Sequence, residues 1–300
     1  MSARPDPAIL LSFDVEEFDA PVERGRVMSM AEQMEQGGRG QERVLDLLDQ
    51  LDVPATMFTT ANFAQWHVAL QRRAAARHEI ASHGRVHATF EDADLAISRA
   101  VLRETSGQEV LGFRRARLQP TDPEAILRAG YRWDSSENPI WLPGRYSNLG
   151  KPRTPYRKGR LLELPISATP RIRLPLFWLA WKNLPFGVVV DASRRCLEHD
   201  GLLNVFWHPW EFIDLAGSGL PRYMRAVDGE RACDRLAAFV DAVRPHGRFS
   251  TMSAWVDGQP AALGRGCSRP ACATRGGWRR SDYRSIEREI DRESRRLVAS

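Results

Sequence analysis

The chain has 300 residues, 43% of them hydrophobic, which suits one large α/β domain or two small ones around a substantial core. No apolar run approaches the ~20 residues of a membrane span, and the opening "MSARPDP" carries no apolar segment after its basic residue, so neither a transmembrane segment nor a secretory signal is predicted and a cytoplasmic location is expected. The formal net charge of +5 is local: residues 265–300 hold ten Arg against five Asp and Glu while the rest balances, so nothing marks the core as a general nucleic-acid-binding surface.

In chain order, "AILLSF" (8–13) reads as a strand buried on both faces, as in a parallel sheet. "GQERVLDLLDQLDVP" places Val44, Leu47, Leu48 and Leu51 on one helical face, with Pro54 as a stop. "PATMFTT" is a strand, "ANFAQWHVALQRRAAARH" a helix and "HEIASH" a third strand, a βαβαβ order that predicts a parallel sheet wrapped by helices. The alternation continues more loosely. "EDADLAISRAVLRETSG" is a helix ending at Gly107, "EVLGFR" a strand, "DPEAILRAG" a helix ending at Gly130 and "YRWDSS" a strand end. "LLELPIS" and "LLNVFWH" are strands, "ERACDRLAAFVDAVRPHG" is a helix, and "RFSTMSAWV" is expected to close the sheet. Seven or eight such alternations predict a barrel-like (β/α) closure.

Three features stand apart. The segment 170–190, "PRIRLPLFWLAWKNLPFGVVV", is too broken by proline for one long helix; it reads either as core packing or as an apolar lip beside a pocket. Cys267 and Cys272 in "GCSRPACAT" lack neighbouring Cys or His and read as free thiols rather than a metal knuckle, and four cysteines make no disulfide framework at this length. The charged tail reads as a solvated helix or a disordered extension.

Parallel sheets gather function where their strands end. Those ends carry Asp14 and Glu16 after the first strand, His83 and His87 in "SHGRVH", Arg114 in "GFRRAR", Asp134 in "RWDSS" and His208 in "NVFWHPWEF". His83 and His87, spaced i, i+4, can grip one ion, and an acid from the first strand supplies a third ligand. Two His and one carboxylate suit Zn²⁺ or another divalent transition metal and leave positions open for water and substrate. Asp14 and Glu16 share a strand face, so one can bind metal while the other stays free as a base; Glu17 points away on the same logic. His208 is the candidate general acid. Arg114 is assigned to orienting the base, and Asp134 to holding His208 protonated.

"SFDVEEF", "SHGRVH", "GFR", "DSSENP" and "VFWHPWEF", in this order over about residues 8–256, resemble the polysaccharide deacetylase (NodB-homology, carbohydrate esterase family 4) superfamily, nearest the branch whose first motif is Asp-x-Glu. The resemblance implies a deformed (β/α) barrel of about seven parallel strands over residues 1–258, followed by a basic Arg-rich tail over 259–300. It implies a hydrolase that uses a divalent metal, expected to be Zn²⁺, to remove an N-acyl group, most simply acetyl, from an amino sugar. The partner is then an acylated oligosaccharide or polysaccharide, free or lipid-linked, with no nucleic acid. Carried over by position, Asp14 resembles the catalytic base, and Glu16 the metal-binding acid with Glu17 as the alternative. His83 and His87 fall on the metal histidines, Arg114 on the arginine paired with the base, Asp134 on the acid of the fourth motif and His208 on the catalytic acid. One departure stands out: the family's third motif continues Arg-x-Pro, whereas Arg114 is followed by Arg115, Ala116 and Arg117. Competing expectations are deformylase or cyclic-amide chemistry on the same scaffold, and a catalytically lapsed carbohydrate-binding protein.

Overall fold

Strand β1 (Ala8–Val15) is buried at every position, which is why its sequence runs apolar instead of alternating. In the computed structural model, which describes residues 6–142 and 146–259, β1 pairs in parallel with β2 (Thr56–Thr59) on one side and β10 (Leu202–Trp207) on the other. Beyond β2 the sheet continues through β3 (Glu79–Ser82), β4 (Gly112–Phe113), β5 (Trp133–Asp134) and β9 (Leu161–Glu163), and ends at β8 (Tyr156–Lys158), which is antiparallel to β9. Seven consecutive strands of this order, β10 to β9, thus run parallel, as a deformed (β/α) barrel requires. A two-stranded hairpin, β6 (Trp141–Leu142) and β7 (Tyr146–Ser147), stands apart.

The curled sheet is a half-barrel whose open seam is bridged locally. The chain leaving β9 returns to β10: Ser167 N–H donates to Asn204 O (2.9 Å), and Asn204 N–H donates to Ser167 Oγ (2.8 Å). The buried Asn204 side chain donates to Leu164 O (3.1 Å), Pro165 O (3.0 Å) and Ser135 Oγ (3.2 Å). Leu10, Phe58, Ala81, Trp133, Leu162 and Leu202 pack together with Met252 inside the curl. The larger core lies between the sheet and its helices.

The helices depart from the sequence reading in instructive ways. Helix α1 (Met30–Leu51) begins ten residues before Gly40, because Ser29 and Glu32 form a reciprocal capping box. Gly37 and Gly40 lie where α1 touches the site: a Cβ on Gly40 would sit 2.5 Å from Pro209 O, and one on Gly37 2.8 Å from Glu16 O. The single helix expected over 61–78 is two, α2 (Ala61–Trp66) and α3 (Val68–Ala75), broken at His67, whose φ of −120° and ψ of 50° are not helical. Helices α4 (Ala93–Ser106) and α5 (Pro123–Arg128) lie where expected.

Part of the segment 170–190 is core packing, while Ile172 is exposed. Leu176, Phe177, Trp178, Leu179 and Trp181 are buried, and Pro185 separates α6 (Trp178–Asn183) from α7 (Phe186–Asp200). After α8 (Gly229–Val243), only β11 (Arg248–Phe249) of "RFSTMSAWV" joins the sheet, beside the start of β1. The remainder forms α9 (Met252–Asp257), and Met252 N–H donates to Thr56 Oγ1 (3.0 Å). Cys267, Cys272 and the basic tail lie outside the described residues.

Candidate metal centre and catalytic cleft

Alternation along β1 turns Leu10, Ser12 and Asp14 to one face. That face is apolar at Leu10 and polar at the C-terminal edge, where Asp14, Glu16, His83, Arg114 and His208 are all buried.

Asp14 is held from one side only. Arg114, immediately after β4, is fully buried and its Nη1 donates to Asp14 Oδ1 (2.7 Å) and Ser12 Oγ (3.0 Å). The same guanidinium is locked by Ser135: Nε donates to its carbonyl (3.0 Å) and Nη2 to its Oγ (3.1 Å). Phe58 covers the Arg114 plane at 3.9 Å. The other carboxylate oxygen, Asp14 Oδ2, lies 3.9 Å from His83 Nε2.

Glu16 Oε2 sits between two imidazoles, 3.3 Å from His83 Nε2 and 3.2 Å from His87 Nε2. These ligand-capable atoms all lie within 4.8 Å of one another. Yet Glu16 Oε2 and both ring nitrogens of His83 are buried with no hydrogen-bond partner. Buried polar atoms are ordinarily paired, and a carboxylate oxygen with two imidazole nitrogens is a donor set for a divalent transition metal. The residues therefore fit the group that the sequence predicts. His87 is further prepared: its Nδ1 bonds Asp19 Oδ2 (2.8 Å), which as an Nδ1–H donor leaves Nε2 free to ligate. Burial opposes charge on both His87 and Glu16, but their mutual attraction prevails. Glu16 and Asp19 push the His87 pKa up to about 10, while His87, His208 and His83 hold Glu16 well below the usual carboxylate range. The pocket stabilises positive charge.

Glu17, the alternative ligand, is used otherwise. It accepts from Asn62 Nδ2 (2.8 Å), Thr60 Oγ1 (3.1 Å) and the His87 backbone N–H (3.4 Å), so it ties the His87 loop to the start of α2. The arginines that replace the expected third motif also have work. Arg117 donates to His87 O (3.3 Å) and pairs with Glu23, and Arg115 lies over Phe90 at 3.4 Å.

His208 follows β10 and faces the metal group from the opposite wall, its Nε2 3.9 Å from Glu16 Oε1. Trp210 Nε1 donates to that same Glu16 oxygen (3.2 Å). The expected partnership of His208 with Asp134 is corrected. His208 Nδ1 bonds Glu211 Oε1 (2.9 Å), and Glu211 also accepts from the His208 backbone N–H (2.8 Å). Asp134 instead accepts from Ser136 and lies with Glu163 and Glu137 around Lys158. The reason is strand alternation: Trp133 packs inside the curl, so Asp134 beside it faces away. Burial of His208 opposes its charge, but Glu16 and Glu211 raise its pKa, which suits a proton donor.

The structure thus brings together Asp14, Glu16, His83, His87, Arg114 and His208, and leaves Asp134 on another network. Sequence reasoning passed over Asp19 and Glu211 and weighed Glu17 only as the alternative metal ligand. Asp19 ends the same acidic stretch as Asp14, and Glu211 stands three residues after His208, a spacing at which side chains meet on one helical turn.

Comparison with known proteins bears on the fold. Residues 3–118 match the family model for polysaccharide deacetylase. A candidate polysaccharide deacetylase structure from Mycobacterium smegmatis is 22% identical, with 90% of this chain and 97% of that chain covered and a TM-score of 0.60. One from Pseudomonas aeruginosa PAO1 is 18% identical over 84% and 93%, with a TM-score of 0.57. The PuuE allantoinase is 17% identical over 87% and 96%, with a TM-score of 0.56. No curated protein matches the sequence.

Proposed function

We propose, from the polysaccharide deacetylase match over residues 3–118 and the convergence of six site residues on one cleft, that this chain is a hydrolase of carbon–nitrogen bonds that deacylates an amino sugar in a glycan. The observation that carries the reading is the set of unpaired donors at Glu16 and His83 beside His87, flanked by a base on one side and an acid on the other. Glu16, His83 and His87 would hold a divalent metal, of which Zn²⁺ suits the donor set. When bound, such an ion polarises the acyl carbonyl and lowers the pKa of water beside it.

The chain's own groups do the rest. Asp14 Oδ2 takes the proton of the attacking water, because Arg114 occupies Oδ1 and keeps the carboxylate aimed. Water adds to the acyl carbon; the carbon–nitrogen bond then breaks as His208 Nε2 delivers a proton to the departing amine. Trp178, edge-on to His208 with ring centroids 5.1 Å apart, and Trp210, stacked at 4.9 Å, screen that nitrogen from bulk water. Residues 1–258 form the catalytic unit in this reading.

The test is product analysis on the purified, metal-loaded protein across N-acetylated and N-formylated amino-sugar oligomers, free and lipid-linked, with a cyclic ureide as a further substrate. Acetate release with about one bound divalent ion per chain supports the reading. Formate release or ring opening would keep the metal centre and move the substrate class. Tight glycan binding with no turnover on any of them would make the protein a lapsed binder and overturn it.

A further inference from the structure

We propose that Lys182 is a positioning residue for the acid step: it fixes Glu211, which holds the His208 ring with Nδ1–H bound and Nε2 toward the cleft. The proposal rests on the assignment of His208 as general acid above. Lys182 lies on α6, in the proline-broken aromatic segment that the site otherwise leaves unexplained.

Its Nζ is fully buried, 3.1 Å from Glu211 Oε2, and donates to Met224 O (2.8 Å). Glu211 is fully buried too, and its other oxygen accepts from the His208 backbone N–H (2.8 Å) and lies 2.9 Å from His208 Nδ1. A buried line therefore runs from Met224 O through Lys182 and Glu211 to the imidazole. Trp178 and Trp210 flank it, each ring centroid 5.9 Å from the ammonium. The other cation packed here, Arg235, is directed elsewhere, donating to Trp181 O (3.0 Å) and Leu184 O (2.8 Å).

Stability alone does not account for this pair. Removing two charges from water costs several kcal/mol per ion, and a buried ion pair can often be replaced by apolar side chains without loss. An aromatic pocket with Trp178 and Trp210 on its walls would accept a methionine. What the ammonium adds is control of the next group. Glu211 meets the Lys182 ammonium at Oε2 and the His208 backbone N–H at Oε1, so both of its oxygens face donors and the facing His208 nitrogen is the one to carry the proton. The imidazole is held in one tautomer and orientation, and Nε2, 3.9 Å from Glu16 Oε1, is the nitrogen left to exchange a proton with substrate.

Two readouts test this in the full-length protein. Nitrogen NMR of the His208 ring in the metal-loaded wild type should show Nδ1 protonated at neutral pH. A ring that carries its proton on Nε2 alone overturns the proposal without any variant, and does so whether or not a substrate has been found. In Lys182→Met the Nδ1 signal should shift toward a mixture of tautomers. On the substrate found by product analysis, kcat should fall by at least about tenfold, with KM and bound metal unchanged, and Lys182→Arg should recover most of it. A Lys182→Met protein with wild-type kcat, or a loss that Lys182→Arg does not recover and that follows Tm, overturns the proposal. A wild type inactive on every substrate would instead defeat the hydrolase assignment and leave the tautomer measurement standing.

Discussion

The two walls of the cleft are built differently. On the metal wall, Glu16, His83, His87 and Asp19 come from the loops that follow β1 and β3, two strands separated only by β2 and paired with it in regular parallel register. On the acid wall, His208 follows β10 but takes its orientation from Glu211, which in turn faces Lys182 on a short helix outside the sheet. The first wall is set by strand alternation and pairing; the second is set by buried side-chain contacts behind it. The metal wall therefore presents itself in short stretches of sequence, whereas the acid wall depends on residues that only tertiary packing brings together.

Substitutions can break this contrast or sharpen it. The largest effect is expected at the residue between the walls. Asp14→Asn removes the proton acceptor and should lower kcat/KM by about 10²–10⁴-fold with bound metal retained; wild-type turnover would refute the base assignment. On the metal wall, Asp19→Ala releases His87 Nδ1 and should weaken metal affinity by about 10–100-fold, measured by competitive chelation, because a partner to a metal-bound imidazole fixes its orientation. The same substitution should leave the His208 tautomer unmoved, since Asp19 has no contact with that wall among those described. At the contact of both walls with α1, Gly40→Ala drives a methyl against Pro209 O and should cost about 1–3 kcal/mol in denaturant unfolding. The smallest effect belongs to the tail: deleting residues 265–300 should leave kcat/KM unchanged, and a loss there would join the tail to the catalytic unit.

What could be read from the sequence follows the same division. Strands β1, β2, β3 and β10 are legible because continuous apolar runs bounded by polar residues have few other meanings in a chain of alternating helices. His83 and His87 are legible from their spacing, and Asp14 with Glu16 from the two-residue period of a strand. Glu17 was kept as the alternative ligand because it and Glu16 both follow Val15, the last residue of β1, where alternation weakens. The start of α1 was missed because Gly37, Gly38 and Gly40 look like breakers. In the fold they let the helix approach Pro209 and Glu16, and the capping box at Ser29 supplies the start signal. Asp134 was misplaced because a two-residue strand gives too little pattern to say which way its acid faces. Lys182 carried no signal at all: a lysine among tryptophans reads as surface unless its buried partner, Glu211, is known.

The bridge at Asn204 ties the seam of the sheet to the aim of the base. The amide that joins the chain leaving β9 to β10 also bonds Ser135, whose carbonyl and hydroxyl hold Arg114, which holds Asp14. The seam and the base therefore share one side chain: replacing Asn204 would loosen both the β9–β10 join and the Ser135 hydroxyl that holds Arg114.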